Sequence, residues 1–300
     1  MSDESIANNN THAVSKSTAR ISDTVEVSKC TIKKLDRDSH QREVMGWLSA
    51  PDPSINHNKA LRQRHKGSGS WFLQSKAFEE WKTCSNSSLW LHGIPGCGKT
   101  ILSSIIIENL SETIPPSHTL LYFYFDFSDT EKQSFENMLR SLISQLYYGL
   151  DKAREEVDLI FSSYHKLRQP TTRLLCDLFL RSIKQADRAL IILDALDECK
   201  NRKGDETEGL LSWIRHLQEL GLNNVHLLVT SRPEQDIKTT LEAQIGKEKI
   251  ISLQSNLVSQ DIYNYIHASV QEYEGFRRWR GRPEVQVEIK NQLVEKANGT

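Results

Sequence analysis

The chain has 300 residues, 26% of them charged and 38% hydrophobic, with a formal net charge of −1. That length allows one large α/β domain or two smaller ones, with room for a sizeable core. The near-neutral balance gives no global attraction to nucleic acid or to an anionic membrane, and two local basic runs, Lys59 to Lys66 and Arg277 to Arg282, read first as solvated faces.

Residues 1–40 are rich in Ser, Thr, Asn, Asp and Lys and are expected to be disordered. From Gln41, the residues Val44, Met45, Trp47 and Leu48 predict a short amphipathic helix, stopped by Pro51 and Pro53. Trp71, Phe72, Phe78 and Trp81 then recur near helical spacing, as in a helix packed on something larger. After them strands and helices alternate. "SSLWLH" predicts a strand and Lys99 to Leu110 a helix. "TLLYFYFDFS" (Thr119 to Ser128) predicts a second strand, and "SFENMLRSLISQLYYGL" a long helix. A helix follows Pro170. "ALIILDA" predicts a third strand, "EGLLSWIRHLQEL" a helix, "VHLLVTS" a fourth strand and "KIISL" a fifth.

Strands this apolar are buried on both faces, which happens in a parallel sheet between helices. The expected fold is therefore a doubly wound α/β domain on a parallel five-stranded sheet. The expected layout is a polar N-terminus at 1–40, a helical lead-in at 41–85 and the α/β core at 86–255. From Ser259 the text turns helical again, so 256–300 reads as the start of a helical domain.

Five scattered cysteines without a CxxC fit reduced thiols and not a disulfide framework or zinc site. The polar N-terminus does not read as a signal peptide, and no run is long and apolar enough for a membrane span. The expected compartment is the cytoplasm.

"GIPGCGKT" (Gly93 to Thr100) fits G-x-x-x-x-G-K-[ST], placed between a strand and a helix as that motif requires. Gly93, Gly96 and Gly98 let the loop wrap with its N–H groups inward, a nest for phosphate oxygens. The next helix turns its positive end to the same charge. The nucleotide-binding set is then Gly93, Ile94, Pro95, Gly96, Cys97, Gly98, Lys99 and Thr100. Lys99 would neutralise β- and γ-phosphates, and the Thr100 hydroxyl would hold Mg²⁺.

"LIILDALDE" brings Asp194 to the carboxyl end of a strand, beside that loop if the strands are parallel. A carboxylate there can hold magnesium through water. Asp197 and Glu198 follow at the strand tip, placed to orient or deprotonate an attacking water. Arg232, in "LLVTSRPE", could sense or neutralise the γ-phosphate, or simply cap a strand in solvent. A strand and two helices separate Lys99 from Asp194, as in ATPases with an extra strand between the loop-bearing and Asp-bearing strands.

Together "GIPGCGKT", "LIILDALDE" with the small Ala195 after the aspartate, and "TSRP" resemble a NACHT domain. NACHT domains belong to the signal-transducing P-loop NTPases (STAND) of the NOD-like receptor group. The lead-in "WLSAPDPSINHNKALRQRHKGSGSWFLQSKAFEEW" resembles the nephrocystin-like segment before that domain in fungal receptors. The resemblance implies ATP/ADP and Mg²⁺ as ligands, Asp194 as the metal aspartate and Asp197 and Glu198 as catalytic acids, with Arg232 as sensor. It further implies slow ATP hydrolysis, self-association into a homo-oligomer on activation and an effector protein reached through the N-terminus. Neither membrane nor nucleic acid is an expected partner. The family's winged-helix and repeat modules are not found in the 300 residues, so a receptor fragment or short relative is expected. An ATPase acting on nucleic acid, a phosphotransferase and a scaffold that binds nucleotide without hydrolysis remain the alternatives.

Overall fold

The computed structural model describes residues 34–65, 67–164 and 169–253, then 263, 266–267, 269–271, 274–279 and 281–298. It separates into two compact units, one ending at Leu48 and the other starting at Ser49. In the first unit, helix α1 spans 34–48, so it starts before the residues whose pattern predicts it. Its polar first turns add backbone hydrogen bonds to a helix anchored by Val44, Trp47 and Leu48, which form one buried face. The expectation of disorder before residue 34 lies outside the described residues.

The second unit is built on five parallel strands: β1 (Ser87–His92), β2 (His118–Tyr124), β3 (Arg188–Asp194), β4 (Val225–Ser231) and β5 (Ile250–Ser252). Their order across the sheet is β2-β3-β4-β1-β5. β4 thus lies between β1, which leads into the glycine loop, and β3, which ends in Asp194, as the motif spacing implied. All seven residues of β4 and six of the seven in β3 are buried, which is why these central strands read as largely apolar runs. The register sets Tyr124 beside Asp194 and His92 beside Ser231, so the strand ends that carry the motifs share one edge.

Helices cover both faces. α5 (Lys99–Thr113) lays Leu102, Ile106 and Leu110 on Leu89, Leu91, Leu190 and Leu228. α6 (Phe135–Gly149), α8 (Thr172–Ile183) and α9 (Leu210–Glu219) meet at Phe135, Phe179 and Trp213. The unit also contains α7 (Asp151–Ser163), α10 (Gln235–Gln244) and α11 (Pro283–Asn298).

The aromatic stretch expected to form one helix forms two, α3 (Ser70–Leu73) and α4 (Lys76–Thr83), and α2 (Ser54–Gln63) precedes them. The break after Leu73 has a local cause, because the Ser75 hydroxyl accepts from Phe78 N at 3.2 Å and starts α4 afresh. Phe72, Phe78 and Trp81 lie in the same core cluster as the sheet and α5. The second strand also ends earlier than predicted, at Tyr124, and 125–134 forms a hydrogen-bonded loop with a 3₁₀ turn at Thr130–Lys132. The helical reading of 259–273 falls largely outside the described residues.

Candidate functional site

After β1 the chain leaves the sheet at Gly93, whose N–H donates to Ser231 O at 3.2 Å. A Cβ at Gly93 would come within 2.5 Å of Cys97 Sγ and 3.3 Å of Leu253 Cβ, so a side chain there would crowd the folded-back loop. Gly96 and Gly98 have φ of +79° and +90°, a backbone region that disfavours side chains. Pro95 sits at the exposed tip. Gly98 precedes α5 without any side-chain cap, leaving the helix's first N–H groups to serve the loop. The Lys99 ammonium folds inward and donates to Gly93 O and Ile94 O, each at 2.9 Å, with Cys97 Sγ at 3.8 Å. Carbonyls satisfy this cation in place of a carboxylate, so it is free to exchange them for phosphate oxygens.

Asp194 closes β3 and is 1% exposed. Three hydroxyls donate to its carboxylate, all at 2.7 Å: Thr100 to Oδ2, and Ser103 and Thr230 to Oδ1. Thr100 and Ser103 are three apart on α5 and so share a face, while Thr230 comes from β4. Burial pushes the Asp194 carboxyl up from its ordinary value; the three hydroxyls and the nearby Lys99 charge pull the other way without cancelling it. Ala195 turns the chain sharply at φ +58°, its N–H donating to Thr230 Oγ1 at 3.0 Å. A 3₁₀ turn over Leu196–Glu198 follows.

The next two acids part company. The buried Asp197 holds Arg232 twice, accepting from its N–H at 2.8 Å and from its Nε at 2.5 Å. That contact raises the already high pKa of the Arg232 guanidinium, which stays partly exposed. Arg202 adds a brace: it donates to the Asp197 carbonyl and pairs with Glu234 at 2.7 Å and Asp236 at 3.1 Å.

Glu198 makes a different contact, accepting from Phe127 N at 2.7 Å through Oε2. Burial raises its pKa, the Phe127 N–H opposes that, and the neighbouring Asp197, Asp126 and Asp194 charges add to the rise. Among the described residues, no helix is long and apolar enough to cross a membrane.

The structure therefore brings together Lys99 with the glycine loop, Thr100 with Asp194, and Asp197 with Arg232. Sequence reading missed Ser103, Thr230, Phe127 and Arg202. The two hydroxyls carry a weak signal, one helical turn after Thr100 and two residues before Arg232. Phe127 acts through its main chain and carries none.

The family model described as nephrocystin 3, N-terminal, matches residues 67–232, more than half of the chain. The chain belongs to the nephrocystin 3 N-terminal family. A member's relative in the fungus Podospora anserina, the vegetative incompatibility protein HET-E-1, is 27% identical over 237 residues. That alignment covers 75% of this chain but only 16% of HET-E-1, so the nephrocystin-family chain spans a small part of that relative's length. Both matches bear out the resemblance to NACHT-type fungal receptors with a nephrocystin-like region. A solved structure, Drosophila ORC bound to DNA, aligns with TM-score 0.44 and 15% identity over 82% of this chain and 57% of that one, a distant likeness and no more.

Proposed function

We propose that this nephrocystin-family chain is a nucleotide-controlled switch that binds ATP or ADP with Mg²⁺ and hydrolyses ATP slowly. One observation carries the reading. The hydroxyl of Thr100, directly after the loop lysine, lies 2.7 Å from the carboxylate of Asp194 across the intervening β4. A hydroxyl and a carboxylate so paired are the hard oxygen donors that Mg²⁺ takes. The loop fits a polyphosphate as well, because two left-handed glycines leave open space where side chains would stand.

Mg²⁺, held by Thr100 and Asp194, would supply positive charge to offset that of the phosphates. The chain's own residues do the remainder. Gly96, Gly98 and the first turn of α5 present N–H groups, Lys99 turns from the loop carbonyls to the phosphates, and Thr100 and Asp194 hold the metal. Glu198, half-buried and with a raised pKa, accepts a proton from the attacking water. Asp197 is committed to Arg232, so its part is to aim that guanidinium at the γ-phosphate. Residues 54–253, lead-in included, make up the nucleotide-binding module.

The similarity to a vegetative incompatibility protein supports a signalling use. In that reading nucleotide state controls self-association, an effector protein is engaged through the N-terminus, and the setting is the cytoplasm. The test is a thermal melt of the purified chain with and without Mg·ATP or Mg·ADP, alongside a turnover assay. At about 100 times its dissociation constant a ligand adds roughly 2.7 kcal/mol, enough to raise Tm by roughly 5–10 °C. An unchanged Tm with both nucleotides at millimolar concentration would refute the reading.

A further inference from the structure

Asn56 lies on α2, far before the glycine loop in sequence, and both ends of its amide are in use. Its Nδ2 donates to Asp126 Oδ2 at 2.8 Å, and its Oδ1 accepts from the Lys132 ammonium. Lys132 is 3% exposed and also lies 3.5 Å from Asp129 Oδ2. Both partners belong to the loop that follows β2. Within it, Asp126 N donates to Lys132 O at 3.1 Å, and Asp126 Oδ1 accepts from the Ser128 N–H and hydroxyl. Phe127 sits inside this ring. Its N–H donates to Glu198, and its carbonyl accepts from Gln133 Nε2. The Phe127 ring is 76% exposed, so hydrogen bonds and not apolar packing set the position of that N–H.

We propose that Asn56 is a positioning residue for Glu198: by joining Asp126 to Lys132 it fixes the Phe127 N–H that holds the Glu198 carboxylate. The proposal rests on the reading of Glu198 as the group that takes a proton from water. The chemistry needs an amide at residue 56. A donor must face the Asp126 carboxylate while an acceptor faces the Lys132 ammonium, and a carboxamide presents one of each. Helix docking does not require Asn56, because α2 already meets the body of the fold through the buried His57 and Ala60. His57 in turn reaches Tyr124 Oη at 3.1 Å and Glu108 at 3.6 Å.

The test reverses the hydrogen bond at constant charge. Asn56→Asp keeps an acceptor for Lys132 but turns a second carboxylate on Asp126. Asp126→Asn sets one amide N–H₂ against another. In the combined Asn56→Asp/Asp126→Asn chain, residue 126 becomes the donor, Lys132 keeps its acceptor and Ser128 keeps Oδ1. Three quantities are measured: exchange of the Phe127 amide without nucleotide, kcat for Mg·ATP, and the Kd for Mg·ATP.

Each single variant is expected to speed Phe127 exchange by about tenfold or more, as a locally loosened loop does. Each should also lower kcat by about 5- to 20-fold with Kd within about twofold, the split expected when a reacting group is misplaced and binding is spared. The combined variant should regain wild-type values for all three. Single variants that exchange and turn over like wild type, or a combined variant no better than the singles, would overturn the proposal. If the wild-type chain hydrolyses no ATP, the catalytic reading of Glu198 fails and this role for Asn56 fails with it. The exchange data would still report separately whether Asn56 holds Phe127.

Discussion

Asp194 is a buried carboxyl group held by three hydroxyls, a setting in which a cation beside it would favour the charged form. With burial pushing its pKa up, a divalent ion beside it recovers part of the lost solvation. Asp194→Asn should therefore weaken binding of Mg·ATP by about tenfold or more while leaving metal-free ATP binding within about threefold, read by calorimetry with and without EDTA. Lys99→Ala removes a charge-assisted contact of about 1.5–3 kcal/mol, so its Kd should rise roughly 10- to 150-fold. Glu198→Gln should bind like wild type and turn over far more slowly; wild-type hydrolysis in that variant would remove Glu198 from its role. At this scale the sequence was legible wherever chemistry is written in residue type. Spacing put the glycines, Lys99 and Thr100 in one loop, and the apolar run before Asp194 put that residue at a strand end beside it, which is where the structure has them. The separate uses of Asp197 and Glu198 were not, because a string of two acids does not reveal which one meets an arginine. Nor was Phe127, whose contribution is a main-chain N–H.

The strands were legible for a reason that also hid several helices. A strand buried on both faces is mostly apolar, as β3 is, and a short run declares it. Helices with narrow buried stripes do not stand out: α2 buries His57 and Ala60, α7 buries Ala153, Val157 and Phe161, and α10 buries Ile237 and Leu241. Around these few contacts lie ordinary polar residues, which read as loop. The lead-in posed the opposite problem. Its aromatic pattern showed clearly, but nothing local says that Phe78 and Trp81, stacked with centroids 5.8 Å apart, complete the core under α5. Trp81→Ala should accordingly cost about 3–5 kcal/mol, the usual range for a large aromatic deleted from a core. The measurement is a urea melt followed by circular dichroism. A chain beginning at Asn86 should lose cooperative unfolding altogether, since the apolar face of α5 would lie open. A sharp transition in that shortened chain would show that the lead-in is an accessory and not part of the core.

His226 links these levels to the stability of the whole molecule. It sits on β4, fully buried, where its Nδ1 lies 2.7 Å from the Trp81 carbonyl of α4 and 2.9 Å from the Ser87 hydroxyl of β1. A carbonyl can only accept, so Nδ1 carries the proton, and among the described residues the buried Nε2 has no hydrogen-bond partner. Adding a proton there would bury a charge with no acceptor. Burial accordingly lowers the His226 pKa below its ordinary 6.5, the Trp81 carbonyl opposing and the Arg188 charge assisting. The sign follows from proton counting. As pH falls below about 6.5, the unfolded chain takes up a proton at this residue while the folded chain does not. The unfolded state then binds more protons, so stability drops as pH falls, by up to about 1.4 kcal/mol per pH unit for one group. The drop ends once the folded pKa is passed. Asp194 and Glu198, with raised pKa values, act in the opposite sense at lower pH, so the His226 share is best read as a difference. His226→Asn keeps an N–H for the Trp81 carbonyl and removes the titration. Urea melts of both chains from pH 8 down to 5 should show the wild type losing ground to the variant below about pH 6.5, with no pH-dependent difference above about pH 7. Parallel curves across the whole range would mean that His226 takes up its proton equally in the folded and unfolded chains, and the link from α4 through β4 to β1 would have to tolerate a charged ring.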